Sequence, residues 1–147
     1  MKIIVIALLL IVAPASAEWT IETHGKGTND STIKIAWTGA KKPDRGINAK
    51  LQIECSPTGR VLTVVLSRKL TPGRFGIGYR IDNRPLQERI LPISPALDSI
   101  MFMDDLRQIS NSRTMQLGIF PALSQNLYYD FDISGAEKAI TSVPCQT

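Results

Sequence analysis

The run Lys50-Leu-Gln-Ile-Glu-Cys-Ser-Pro-Thr-Gly-Arg-Val-Leu-Thr-Val-Val-Leu66 decides the fold class. Leu51, Ile53 and Cys55 alternate with polar residues, the period-two pattern of a half-buried strand, and the pattern places the cysteine on the inward face. Ser56-Pro-Thr-Gly59 then reads as a turn, because Pro presets one turn dihedral and Gly accepts the positive one. Arg60 to Leu66 follows with nearly unbroken Val and Leu, which predicts a strand buried on both faces. Two such segments joined by a four-residue turn form an antiparallel hairpin.

Outward from this hairpin the same logic repeats. Ser31 to Trp37 places Ile33, Ile35 and Trp37 on one face and Lys34 on the other, and is read as a strand with the apolar set inward. After the turn Leu70-Thr-Pro-Gly73, Phe75-Gly-Ile-Gly-Tyr-Arg-Ile-Asp82 puts Phe75, Ile77, Tyr79 and Ile81 on the core face. Asn83-Arg-Pro85 is a turn, and Leu86 to Leu91 a short strand. Pro92 and Pro95 bracket a loop, an apolar stretch from Ser99 to Met103 follows, and Asp104 to Asn111 is a short helix candidate with acidic residues at its start. Thr114 to Phe120 and Leu127 to Ile133 are further strands, with Tyr129, Phe131 and Ile133 sharing a face. Ser134 is a candidate cap for a last helix from Gly135 to Val143. About seven strands and two short helices predict a mainly β protein: an antiparallel, β-sandwich-like single domain, with no internal repeat.

The amino terminus reads as an export signal. Lys2 precedes the apolar run Ile3 to Val12, Pro14 breaks it, and Ala15-Ser16-Ala17 gives the small-x-small cleavage pattern. The apolar run is too short for a membrane span, which needs about 20 residues. The predicted organisation is a signal peptide over 1–17 and one β-rich domain over 18–147, with no membrane anchor after cleavage and a periplasmic or secreted destination. The whole chain carries 17 Lys+Arg against 13 Asp+Glu, and removal of Lys2 leaves a net charge of only +3. That value, with no long run of one sign, argues against nucleic acid as a partner. An even cysteine count in an exported chain predicts one disulfide, Cys55–Cys145, tying the carboxyl end to the middle.

Catalytic constellations are missing from the pattern. His24 is the only histidine, it is read as a surface loop residue in the polar stretch Thr23 to Gly27, and no Gly-x-Ser-x-Gly elbow accompanies it. Gly76 and Gly78 lack the Gly-Lys-Ser/Thr ending of a phosphate loop. Asp104/Asp105 are adjacent on a helix and do not face each other. Asp130/Asp132 share a strand face without the further ligands a cation needs. The basic places, Lys41 to Arg45, Arg60 and Arg68-Lys69, are short and turn-flanked. No catalytic residue, cofactor or metal site is expected. The candidate partner site is the outer strip Gly76, Gly78, Arg80 and Asp82. There, two absent side chains admit close approach, and Arg80 offers a planar donor fork.

The order of these features resembles the type VI secretion-associated VasI/TagO family. The likeness rests on Trp19, Asn29-Asp30-Ser31-Thr32, Leu51-x-Ile53-x-Cys55, Tyr79-Arg80-Ile81-Asp82, Phe102 to Leu106, Met115-x-Leu117, Pro121, Phe131-Asp-Ile-Ser-Gly135, Ala139 and Cys145. It departs at Ala40 to Ala49, which is inserted before the cysteine strand, and at the Pro- and Ser-rich Leu91 to Ile100. Membership implies a non-enzymatic periplasmic accessory that engages a protein or cell-envelope component. The rival expectation is an inhibitor of a cell-wall hydrolase that inserts the loop Lys41 to Arg45 or the loop at Pro92 to Pro95.

Overall fold

The computed structural model describes residues 17–25, 32–91 and 98–145. The signal segment through residue 16 and the loop at Pro92 to Pro95 lie outside the described residues. Nine strands and two short helices are described: β1 (Thr20–Gly25), β2 (Thr32–Gly39), β3 (Ala49–Ser56), β4 (Gly59–Leu66), β5 (Phe75–Ile81), β6 (Gln87–Leu91), β7 (Ser99–Met103), α1 (Arg107–Ser110), β8 (Thr114–Pro121), β9 (Leu127–Asp132) and α2 (Ala136–Ser142). They form two antiparallel sheets, β1-β2-β3-β4-β7 and β6-β5-β8-β9.

The sheets face one another across a single apolar core. Leu51, Ile53, Leu62 and Val64 from the first sheet and Ile77, Tyr79, Met115, Leu117, Ile119, Tyr129 and Phe131 from the second are all buried in it. Tyr79 of β5 meets Phe102 of β7 with ring centroids 5.6 Å apart, one of the contacts that join the sheets. Phe131 is fully buried, so truncating it to Ala would cost about 3–5 kcal/mol in lost transfer energy and cavity. The hairpin of β3 and β4 runs in register from Ala49↔Leu66 to Ser56↔Gly59, with Gly59 at a φ of 127° that a side chain would strain. The β5 face anticipated as core is buried throughout.

Several elements differ from the sequence reading, each for a physical reason. β2 has the opposite phase: Ala36 and Thr38 are buried, while Ile33 is exposed and Trp37 only partly covered. Residues directly opposite across a ladder share a face, and β2 pairs Ala36 with Ile53 and Thr38 with Leu51. Trp37 therefore points outward, under the Lys50 ammonium at 3.8 Å and donating its indole N–H to Glu22 at 2.7 Å. His24 is not in a loop but on β1, an edge strand, opposite Ile33. The stretch Ser99 to Met103 is strand β7, and the helix after it shrinks to four residues. Cys55 follows the phase of Leu51 and Ile53 but is exposed, because it lies at the sheet's rim beyond the core. Ser134 does not cap α2; its hydroxyl is held by Asp132 at 2.6 Å, and Gly135 takes the cap position at a φ of 82°.

The segment between β2 and β3 closes one edge of the second sheet. Asp44-Arg-Gly-Ile47 is a tight two-residue turn with positive φ at Arg45 and Gly46, closed by Asp44 and Ile47 hydrogen bonds in both directions. It lies against β9: the Lys41 N–H donates to the Asp130 carbonyl at 2.9 Å, and the Tyr128 N–H donates to Asp44 Oδ2 at 2.8 Å. Two outward backbone groups of an edge strand are thereby paired, which removes a template for association.

Candidate functional site

The outer face of the second sheet carries the most distinctive surface of the described residues. Cross-strand register lays its side chains in rows. Ile90, Gly76 and Phe120 form one row; Glu88, Gly78, Gly118 and Tyr128 the next; Arg80, Gln116 and Asp130 the third. Three glycines thus meet at the middle of a four-stranded face. Phe120 occupies the space they leave: a Cβ built on Gly118 would lie 2.6 Å from the Phe120 Cζ, and one on Gly78 would lie 3.1 Å from its Cε2. A cross-strand aromatic ring laid over glycines replaces the packing that their missing side chains would supply. Tyr128 stands edge-on to this ring, centroids 5.9 Å apart at 71°.

Around this floor lies a groove of about 700 Å³, walled by Leu86 on one side and by Lys42, Pro43 and Asp44 on the other. Arg80, Gln116 and Asp130 line its polar end, where it continues into a depression bordered by Lys41, Asp82 and Thr114. Large apolar side chains on or beside this face are open to solvent, with Leu86, Tyr128 and Ile90 at 51, 59 and 83% exposure. Among the described residues Arg80, Gln116 and Asp130 make no side-chain hydrogen bonds, so the third row presents free donors and acceptors.

Of the strip singled out in the sequence, Gly76, Gly78 and Arg80 lie on this face. Asp82 does not continue it: it sits just beyond β5 in the left-handed region, φ 49°, and its Oδ1 accepts hydrogen bonds from the Arg113 and Thr114 amides and the Thr114 hydroxyl. Burial pushes the Asp82 carboxyl up, but hydrogen bonds from the Thr114 and Arg113 amides and the Ser112 and Thr114 hydroxyls outweigh it and hold the group below its ordinary value. Asp82 is therefore a splint between β5 and β8. The contribution of Phe120, Tyr128 and Gly118 escaped the sequence reading. The available signal was the Gly-x-aromatic triplet Gly118-Ile-Phe120, which faces Gly76-x-Gly78.

The remaining titratable candidates are committed elsewhere. Arg107 holds Asp105 at 2.8 Å, and this hydrogen bond keeps the Asp105 carboxyl below its ordinary value. Asp132 accepts from the Ser134 amide and hydroxyl, which separates it in role from Asp130. His24 lies 3.2 Å from Glu22 on the exposed edge strand, and the Arg60 Nε–H donates to the Val143 carbonyl at 2.6 Å. Tyr129, whose hydroxyl donates to the Ile47 carbonyl, is pushed up to about 12 by burial and by the nearby Asp44 carboxylate. Among the described residues no group of three or more His, Cys, Asp or Glu could hold a metal ion, and no helix is long and apolar enough to cross a membrane.

Cys55 and Cys145 form a disulfide with Cα atoms 5.6 Å apart. It fastens the residues after α2 to the end of β3, on the rim and away from the groove. No family model matches the chain, and neither a curated protein nor a solved structure matches it.

Proposed function

We propose that this protein is an exported, non-enzymatic binding and assembly module that engages its partner through the groove on the outer face of β5, β8 and β9. The observation that carries this reading is the third row of that face. Among the described residues Arg80, Gln116 and Asp130 make no side-chain hydrogen bonds, and they lie beside an exposed Tyr128 and a Phe120 ring held over glycines. Exposed apolar patches rimmed by polar groups are the surfaces through which soluble domains bind. Export is supported by the signal-like segment and by the disulfide, which persists in oxidising compartments. The resemblance to the VasI/TagO family supports reading the module as a periplasmic accessory of a type VI secretion system. The inhibitor alternative draws less support: the loop Lys41 to Arg45 is strapped to β9 by two hydrogen bonds, and insertion would require it to detach.

The test is site-specific photo-crosslinking in intact cells, with the reactive residue at Leu86 or Tyr128 and, as the comparison, at Met101 on the other sheet. Periplasmic adducts from the first two positions and not from the third are expected. Adducts from Met101 alone, or a cytoplasmic pool of uncleaved protein, would overturn the proposal.

A further inference from the structure

We infer that the ligand of this groove is a neutral oligosaccharide, a deepening that rests on the binding-module reading above. Charge is the first argument. The groove is lined by Lys42 and Arg80 against Asp44 and Asp130, so an anionic or cationic polymer meets attraction and repulsion together. Electrostatic complementarity, which selects charged partners, is absent.

The second argument is the cost of covering the third row. An apolar peptide laid across Arg80, Gln116 and Asp130 would strip water from a guanidinium, an amide and a carboxylate without replacing their hydrogen bonds. Each group left unsatisfied costs roughly 1–3 kcal/mol, more for the charged ones. The hydroxyls of a sugar chain answer all three, because each both donates and accepts: Arg80 only donates, Asp130 only accepts, and Gln116 does both. The three residues sit on adjacent strands in register, about 4.8 Å apart per strand, so the row is reached by an extended ligand that carries hydroxyls along its length.

The third argument is the floor. The ring of Phe120 is held against the backbone of Gly78 and Gly118 and borders the groove, with Tyr128 beside it. A rigid aromatic surface next to planar polar side chains matches a sugar, whose ring has an apolar C–H face and a polar rim. The glycines are what let the aromatic ring sit low enough for the polar row to reach the same ligand.

The experiment is an amide-resolved NMR titration of the mature, oxidised protein with chitotetraose, cellotetraose and maltotetraose, and with an oligogalacturonate as the charged comparison. At least one neutral tetramer is expected to shift the amides of Gly78, Gly118 and Tyr128, with little salt dependence. Tyr128→Ala and Arg80→Ala, both at exposed positions that leave the fold intact, should each weaken binding about tenfold or more, while Met101→Ala should not. Absence of binding by all three neutral tetramers, preference for the charged oligomer, or indifference to both groove variants would overturn the inference. If crosslinks from Leu86 and Tyr128 capture a protein while no sugar binds, the ligand class is wrong and the binding-module reading stands. If neither result appears, both fall.

Discussion

Replacing Cys145 with Ser removes a cross-link between residues separated by 90 positions in the chain. On the chain-entropy relation a loop of that length lowers the entropy of the unfolded state enough to stabilise the native one by ~4.5 kcal/mol at room temperature. The loss is smaller if the native state also gains freedom when the bond goes. Here it gains little, because Ala136, Ala139 and Val143 are buried and the Val143 carbonyl accepts from Arg60 at 2.6 Å. These anchors keep α2 docked in the variant, so nearly the full entropic penalty is expected. For a mature chain of about 130 residues the unfolding entropy near the midpoint is roughly 270 cal/mol/K, and the penalty lowers Tm by on the order of 15 °C. Calorimetry on the oxidised protein, the reduced protein and Cys145→Ser should give one high and two matching low midpoints. The urea m-value should rise in the last two as the unfolded chain expands. A drop below about 5 °C would refute the reasoning, because the native terminal segment would then gain freedom, with α2 undocked, once the bond is removed.

Asp82→Asn tests the splint between β5 and β8, and Asn tolerates the positive φ of 49° that the position requires. The folded carboxyl lies below its ordinary value. Its contribution is therefore present above the unfolded pKa, near 3.9, and is lost as pH falls through the folded one. The variant should be less stable at neutral pH, and the gap should narrow in urea titrations as pH falls below the unfolded value; a gap that does not change with pH would rule out the carboxylate as the cause. Gly118→Ala places a methyl 2.6 Å from the Phe120 Cζ, so the ring must swing away. Because the ring is the end of a flexible side chain, stability should change by less than about 1 kcal/mol, while NMR should lose the ring-current shifts at Tyr128 and Gly78. Unchanged shifts would mean that the ring does not occupy that space in solution.

Alternation made the fold legible wherever large apolar residues occupied the core face, as in β3, β5, β8 and β9. It misled where bulk and burial parted. In β2 the conspicuous residues Ile33 and Trp37 are on the outside, and the core positions belong to the small Ala36 and Thr38. A period-two pattern gives a strand's existence, but only its partner's register gives the phase. β1 has almost no pattern of its own, since Thr20–Gly25 contains a single aliphatic, Ile21, and that residue is exposed. Its strand state comes from six paired positions along β2.

The site was half legible for a related reason. Gly76, Gly78 and Arg80 announce an unusual strand face from local sequence alone, because two glycines in a period-two pattern leave one side without bulk. What fills that side is set by residues far along the chain on β8, through the pairings Gly76↔Phe120 and Gly78↔Gly118. The same nonlocality hides the wall formed by Lys42 to Asp44, which is held at the groove by the Asp44 bond to the Tyr128 amide and the Lys41 bond to the Asp130 carbonyl. Asp82 shows the converse. Its place in the alternation suggested the binding strip, but one residue of left-handed backbone turns its carboxylate onto the start of β8. Two glycine-containing strands laid side by side, one carrying an aromatic two residues on, create the platform. Neither strand creates it alone. A chain in which either Gly78 or Gly118 became a bulky residue would keep its core and its disulfide while losing the surface on which Phe120, Tyr128 and the Arg80 row act together.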